Sequence, residues 1–325
     1  MKPKIVVLDA YTTSPLAIGE NDPSHPSWDN LAALGDLVLH ERTSPSETLQ
    51  RASGANLVLT NKVVLNRELI ENLPELRYIG LMSTGTNAVD LEAAKERGIT
   101  VCNVPAYSTA SVAQHSIALL LELATRLSAQ ADLFQSGTWA SQPDFSISAG
   151  PTMELSGKAF GIVGCGEIAQ ATARIANALG MRILVHSRTQ RSTDFPCEWV
   201  DRQQLLSESD AISLHCPLTE ETHHWIDDES LAAMKPGAFL INTGRGPLVD
   251  EEAVANALES GTLGGYGADV TATEPPPEDH PLRGIPHAVI TPHVAWASRE
   301  ARERLMLTVV SNIQAFIDGE PRNTV

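Results

Sequence analysis

The stretch KAFGIVGCGEIAQATARIANALGMRILVHSR, residues 158–188, decides how this chain is read. Its apolar run Ala159–Val163 predicts a strand and leads into Gly164-Cys165-Gly166-Glu167-Ile168-Ala169. A helical pattern follows, with Ile168, Ala171, Ile175 and Leu179 expected on one stripe and Gly180 as the C′ stop. Arg182–His186 predicts a second strand. Strand, glycine turn, helix and strand together form the context in which G-x-G-x-x-A binds a dinucleotide. Gly164 permits the tight turn, Gly166 lets backbone approach a pyrophosphate, and Ala169 is small enough for helix and strand to pack closely. The pyrophosphate would rest on the helix N-terminus, where N–H groups and the helix dipole favour an anion. Gly164, Gly166, Glu167 and Ile168 are therefore candidate cofactor-binding residues.

The adenosine end carries a second signal. A carboxylate about 20 residues beyond the glycines would hydrogen-bond a ribose 2′-hydroxyl. Here the second strand ends in His186-Ser187-Arg188-Thr189, with Arg191 close behind. Hydroxyls and a guanidinium suit a 2′-phosphate. Ser187, Arg188 and Thr189 thus favour NADP(H), with NAD(H) as the alternative if Arg188 is merely solvated.

Outward from this unit, strands and helices alternate, which means parallel sheets with helices on their faces. Before it, strands are predicted at Lys4–Leu8, Leu37–His40, Leu57–Leu59, Tyr78–Leu81 and Ile99–Val101, and a helix over Leu91–Arg97. An apolar helix over Ser111–Leu127 opens on the S-x-x-Q spacing of a capping box, Ser111 with Gln114, and is expected to be buried where two domains join. Residues 136–151 read as a loop or arm. Beyond the glycine unit, strands are predicted at Ala211–Leu214, Ala238–Ile241, Gly267–Val270 and Ala288–Ile290. A last amphipathic helix covers about Arg299–Ile317 and stops at Gly319.

The 325 residues are a prior for two domains. Acidic residues outnumber basic ones 40 to 23, for a net charge of −17. Such a balance argues against nucleic acid and anionic membrane surfaces as partners. No apolar run reaches the roughly 18 residues of a membrane span, and no signal peptide is read. Cys102, Cys165, Cys197 and Cys216 show no metal spacing, so no metal is expected and a reducing cytoplasm is the simplest setting.

Three polar residues follow predicted strands: Arg245 in INTGRGPLVD (241–250), Glu274 in DVTATEP (269–275) and His293 in ITPHVAW (290–296). Ligands of open α/β sheets bind at the carboxyl ends of strands. Reduction of a 2-oxo acid needs a cation for carboxylate and carbonyl, which Arg245 offers. It also needs an acid for the new alkoxide, and His293 has the side chain suited to that near neutral pH. Glu274 would fix the ring tautomer and favour the charged imidazolium. Taken singly, each reads more readily as a structural residue, and Arg and Glu near strand ends often form plain surface pairs.

Taken in order, these motifs, with His215-Cys216-Pro217-Leu218-Thr219, resemble the D-2-hydroxyacid dehydrogenase family over nearly the whole chain. The resemblance implies an α/β fold of two Rossmann-like domains with the active site in the cleft between them. One is a flavodoxin-like catalytic domain, residues 1–103 plus 292–325. The other is a doubly wound coenzyme domain, 104–291. It carries Arg245, Glu274 and His293 over as catalytic residues. Thr109, Cys216, Pro217, Thr243, Gly244, Asp269 and His293 correspond to positions that touch cofactor, with Asp269 near the nicotinamide carboxamide. The loop Ser83-Thr84-Gly85 resembles one whose N–H groups bind substrate carboxylate beside Arg245 and His293. Within the family, VVLDAYTTSP (6–15), residues 59–91, NVPAYSTASVAQH (103–115) and TPHVAWAS (291–298) are similar to the glycerate dehydrogenase, or hydroxypyruvate reductase, branch. This implies hydroxypyruvate or glyoxylate as substrate. The alternatives are a D-lactate or other D-2-hydroxyacid dehydrogenase using NAD and, remotely, a nucleotide-sensing co-repressor-like protein. A homodimer is implied, with Trp139 either in its arm or an ordinary packed aromatic. Trp296 is either a wall of the substrate pocket or a packing residue.

Overall fold

The computed structural model describes residues 2–13 and 27–325, so Ser14 and Pro15 of the opening motif lie outside the described residues. The chain divides into two compact units, Met1–Ser108 with Trp296–Val325, and Thr109–Ala295.

The first unit has five parallel strands: β1 (Lys4–Val7), β2 (Asp36–Leu39), β3 (Leu57–Thr60), β4 (Tyr78–Leu81) and β5 (Thr100–Cys102), in the order β2-β1-β3-β4-β5. The order is flavodoxin-like. β1, β3 and β4 are apolar runs buried on both faces, as parallel strands covered by helices must be. Short helices α1 (Asp29–Ala32), α2 (Thr48–Ala52), α3 (Arg67–Glu71) and α4 (Leu91–Glu96) connect them. Ala52, Ile70, Ala93 and Ala94 fill one face of the sheet. The other face takes Leu31 together with Leu305, Val309 and Ile313, which belong to the C-terminal helix Arg299–Ile317. Leu307 of the same helix is exposed.

The second unit opens with helix α5 (Thr109–Thr125) and α6 (Leu127–Gln135). Ser111 is not an N-cap: the helix has already begun, and its hydroxyl donates to the carbonyl of Ala295 at 2.5 Å. The helix also stops earlier than the periodicity suggests, because Arg126 takes a left-handed conformation with φ 54° and starts α6. Residues 136–151 are irregular apart from one short turn at Trp139–Ser141.

The seven strands are β6 (Ala159–Val163), β7 (Arg182–His186), β8 (Glu198–Trp199), β9 (Ala211–Leu214), β10 (Ala238–Asn242), β11 (Leu263–Ala268) and β12 (Ala288–Ile290). They pair in parallel in the order β12-β11-β10-β9-β6-β7-β8. This is the doubly wound arrangement, and the chain reverses direction across the sheet between β6 and β9. Helices α5 and α7 (Glu167–Ala178) cover one face. Helices α8 (Arg202–Glu208), α9 (Asp228–Ala233) and α10 (Glu251–Glu259) cover the other, and α11 is the C-terminal helix named above.

Two further readings of this unit are corrected. The buried stripe of α7 is Ala169, Thr172, Ala173 and Ala176, whereas Ile175 and Leu179 face outward. Small residues win that face because α7 lies tightly between β6 and α5. Strand β11 starts at Leu263 and ends at Ala268, not at Gly267–Val270. Its glycines hid it, and they are required because a Cβ on Gly265 or Gly267 would meet Leu123 or Leu119 of α5 at 2.9 and 3.0 Å.

Candidate active site

Six segments of the second unit leave carboxyl ends of strands in one parallel sheet, so they emerge along one edge. The glycine turn follows β6. Gly164 has φ 96°, and a Cβ there would lie 2.8 Å from the carbonyl oxygen of His215. It thus brings the turn against the segment after β9, at the point where strand order reverses. Gly166 precedes α7, no side chain caps that helix, and a Cβ on Gly166 would meet nothing within 4 Å. An open helix N-terminus of twelve residues beside a glycine facing empty space fits a dinucleotide pyrophosphate. Glu167 is exposed and Ile168 half-buried at that opening, while Ala169 is buried beneath it.

Ser187, Arg188 and Thr189 follow β7. Arg188 is almost wholly in water, its nearest acid being Glu221 at 3.9 Å. Cys216 and Pro217 follow β9, and burial pushes the Cys216 thiol up to about 11. Desolvation holds the neighbouring His215 ring down at about 4, with its Nε2 2.8 Å from the Ser213 hydroxyl. Thr109 opens α5 and is half-buried.

Thr243, Gly244 and Arg245 follow β10. Buried Asn242 shapes this turn: its amide donates to the Arg245 carbonyl at 2.9 Å and its oxygen accepts the Gly244 N–H at 3.0 Å. The Thr243 hydroxyl lies 2.8 Å from that of Ser116 on α5. Arg245 is exposed, and its guanidinium donates to the Gly244 carbonyl at 2.7 Å. Gly246 then packs on the backbone of Thr271 and Ala272, where a Cβ would come within 2.0 Å. The arginine turn and the loop bearing Glu274 are thereby locked together.

Asp269, at the end of β11, is 1% exposed. Its carboxylate accepts the Thr291 hydroxyl at 2.6 Å and the N–H groups of Val294 and Ala295 at 2.9 and 2.7 Å. His115 Nε2 adds a contact of 2.8 Å to the Thr291 hydroxyl. These bonds hold the loop after β12, where His293 adopts φ 56°. The structure thus gives Asp269 a role the sequence did not suggest, as the anchor of the histidine loop. His293 Nδ1 lies 2.7 Å from Glu274 Oε2. A carboxylate only accepts, so Nδ1 carries the proton donated to Glu274, and proton exchange with a ligand would fall to Nε2. The other Glu274 oxygen accepts the Thr271 N–H at 3.3 Å.

In the first unit, Ser83, Thr84 and Gly85 follow β4. The Ser83 hydroxyl donates to the Gly85 carbonyl at 2.9 Å, and the Thr84 hydroxyl to the Val104 carbonyl at 2.8 Å. These bonds fix the loop without using the N–H groups of Thr84 and Gly85. Among the described residues, no group of three or more His, Cys, Asp or Glu side chains could hold a metal ion, and no helix is long and apolar enough to cross a membrane.

Residues 117–295 match the family model for the D-isomer specific 2-hydroxyacid dehydrogenase, NAD binding domain. The chain is 42% identical over 327 residues to a hydroxypyruvate reductase of Blautia hydrogenotrophica, covering 99% of each chain. It is 39% identical to a glycerate dehydrogenase of Methylorubrum extorquens, covering 87% of this chain and 89% of that one. It is also similar to the crystal structure of an NADPH-dependent glyoxylate/hydroxypyruvate reductase from Sinorhizobium meliloti in complex with NADP and malonate. That match has a TM-score of 0.84 at 29% identity and covers 100% of this chain and 97% of that one.

Proposed function

The chain belongs to the D-isomer specific 2-hydroxyacid dehydrogenases, and from that premise we propose that it reduces hydroxypyruvate or glyoxylate to the corresponding 2-hydroxy acid with NADPH. The observation that carries the reading is the His293–Glu274 pair at 2.7 Å, on the same sheet edge as an open dinucleotide fingerprint. A bound reduced nicotinamide supplies the hydride. Arg245 holds the substrate carboxylate and polarises the carbonyl. In the first unit, the N–H groups of the Ser83–Gly85 loop are assigned to carboxylate binding. His293 Nε2 gives its proton to the alkoxide oxygen, and Glu274 orients the ring through Nδ1. Gly164, Gly166, Glu167 and Ile168 cradle the pyrophosphate. Thr109, Cys216, Pro217, Thr243, Gly244 and Asp269 line the cofactor's remaining length.

Ser187, Arg188 and Thr189 are assigned to a 2′-phosphate, hence the preference for NADPH over NADH. An ion pair as loose and exposed as Arg188–Glu221 yields readily to a phosphate. The four cysteines are free thiols, which supports a reducing cytoplasm. A homodimer is supported by α6, which buries none of its residues. Leu127 and Phe134 are exposed there, as is Trp139 in the turn after it, and Phe145 nearby is 91% exposed.

His293→Ala tests the assignment. Turnover of hydroxypyruvate should fall roughly 100- to 10,000-fold, the usual worth of a positioned acid, with NADPH binding retained. Turnover near that of the parent enzyme would remove His293 from the reaction.

A further inference from the structure

The second unit holds a nearly buried carboxylate outside the His293–Glu274 pair. Glu251 is the first residue of α10, directly after the N-cap Asp250. An acid in the first turn of a helix favours the helix dipole and ordinarily faces water. Glu251 does not: its side chain is 10% exposed, and that of its partner His280 is 7% exposed. Glu251 Oε1 accepts the N–H of Ala272 at 2.9 Å, and Oε2 lies 3.1 Å from His280 Nε2. His280 Nδ1 accepts the N–H of Leu282 at 3.3 Å, so the ring proton sits on Nε2 and is donated to Glu251.

Ala272 and His280 bracket Glu274. One carboxylate therefore holds the glutamate loop on both sides. The same stretch of chain holds it a second time through Gly246, which packs on Thr271 and Ala272. Burying a carboxylate is costly unless both oxygens are satisfied. Here they are satisfied by the two points that fix where Glu274 sits. Glu274 in turn meets His293 Nδ1 at 2.7 Å. An error of a few tenths of an ångström at Glu274 would rotate the imidazole and misdirect Nε2.

We infer that Glu251, together with His280, is a positioning residue for proton transfer, acting on His293 through Glu274. The inference rests on the roles proposed above for Glu274 and His293. Its test is a double-mutant cycle in the full-length enzyme, with Glu251→Gln, Glu274→Gln and both together. The readouts are kcat and KM for hydroxypyruvate, and NADPH affinity by quenching of intrinsic fluorescence. A glutamine at 251 keeps the shape but offers one acceptor where two are used. Glu251→Gln should lower kcat about tenfold, change NADPH affinity little, and lose its effect once Glu274 is already Gln. Should Glu251→Gln not fold, Glu251→Asp takes its place in the same cycle, since it keeps the charge but draws it back by one methylene.

An equal loss in both backgrounds would show Glu251 to be a general support of the fold and overturn the inference. So would a Glu251 variant with unchanged kcat. If Glu274→Gln itself costs nothing, the role proposed for Glu274 fails, and this inference falls with it. That outcome is distinct from an active Glu274 beside an indifferent Glu251.

Discussion

Arg188 stands at the end of β7 with its guanidinium in water and Glu221 3.9 Å away. Exposed pairs of this kind contribute about 0–1 kcal/mol, so little holds the side chain back from a phosphate. Arg188→Asp should lower kcat/KM with NADPH roughly 10- to 100-fold, the worth of a charge-assisted bond replaced by repulsion, and leave NADH little affected. Steady-state kinetics with both cofactors check this. Unchanged use of NADPH would refute the phosphate assignment. At this scale Arg245, Glu274 and His293 were legible because each follows an apolar run and each residue type has a chemical task. Asn242 and Glu251 were not. Asn242 looks like the last polar residue of a strand, and Glu251 like an ordinary first-turn acid. Their partners, the Arg245 carbonyl, Ala272 and His280, become neighbours only when the chain folds back. Asp269 was singled out by position, but its hold on Thr291, Val294 and Ala295 depends on β11 and β12 lying side by side.

The glycine turn shows what an element adds beyond its residues. Gly164 is constrained twice, by φ 96° and by the His215 carbonyl oxygen 2.8 Å from where a Cβ would sit. Gly164→Ala should therefore cost about 1–3 kcal/mol in stability and weaken dinucleotide binding together. Denaturant melts and NADPH titration measure the two effects. An alanine variant with the parent's stability and affinity would contradict the role given to this turn. Most strands were legible because parallel strands buried on both faces read as plain apolar runs. Strand β11 was shifted because glycines replace apolar side chains wherever α5 presses on it. The stripe on α7 was misread for a related reason: periodicity marks the largest apolar residues, whereas a helix packed this closely turns its alanines inward. The early stop of α5 rests on one left-handed residue, Arg126, which carries no glycine or asparagine signal.

For the whole molecule, the acidic excess has a partial structural account. Asp90, Asp201, Asp227 and Asp250 each cap a helix by accepting backbone N–H groups. Such caps contribute about 0.5–2 kcal/mol apiece. The net charge of −17 cannot draw an anionic cofactor or substrate, so attraction must be local. Under the proposed function, the open N-terminus of α7 and the guanidinium groups of Arg188 and Arg245 would supply it. The proposed homodimer would cover the exposed apolar side chains on and after α6. Phe134→Glu should convert a dimer into a monomer by sedimentation, and a parent chain already monomeric at micromolar concentration would contradict that arrangement. The two parallel sheets and their helices followed from strand–helix alternation, while residues 128–135, nearly all of α6, lay between a predicted helix and a predicted loop with no element assigned.

The most direct test of the account follows the loss of reduced-nicotinamide absorbance with hydroxypyruvate, glyoxylate and pyruvate, each with NADPH and with NADH. A reductase of the proposed specificity oxidises NADPH rapidly with hydroxypyruvate or glyoxylate and more slowly with pyruvate. No oxidation of either cofactor with any of the three acids would contradict it.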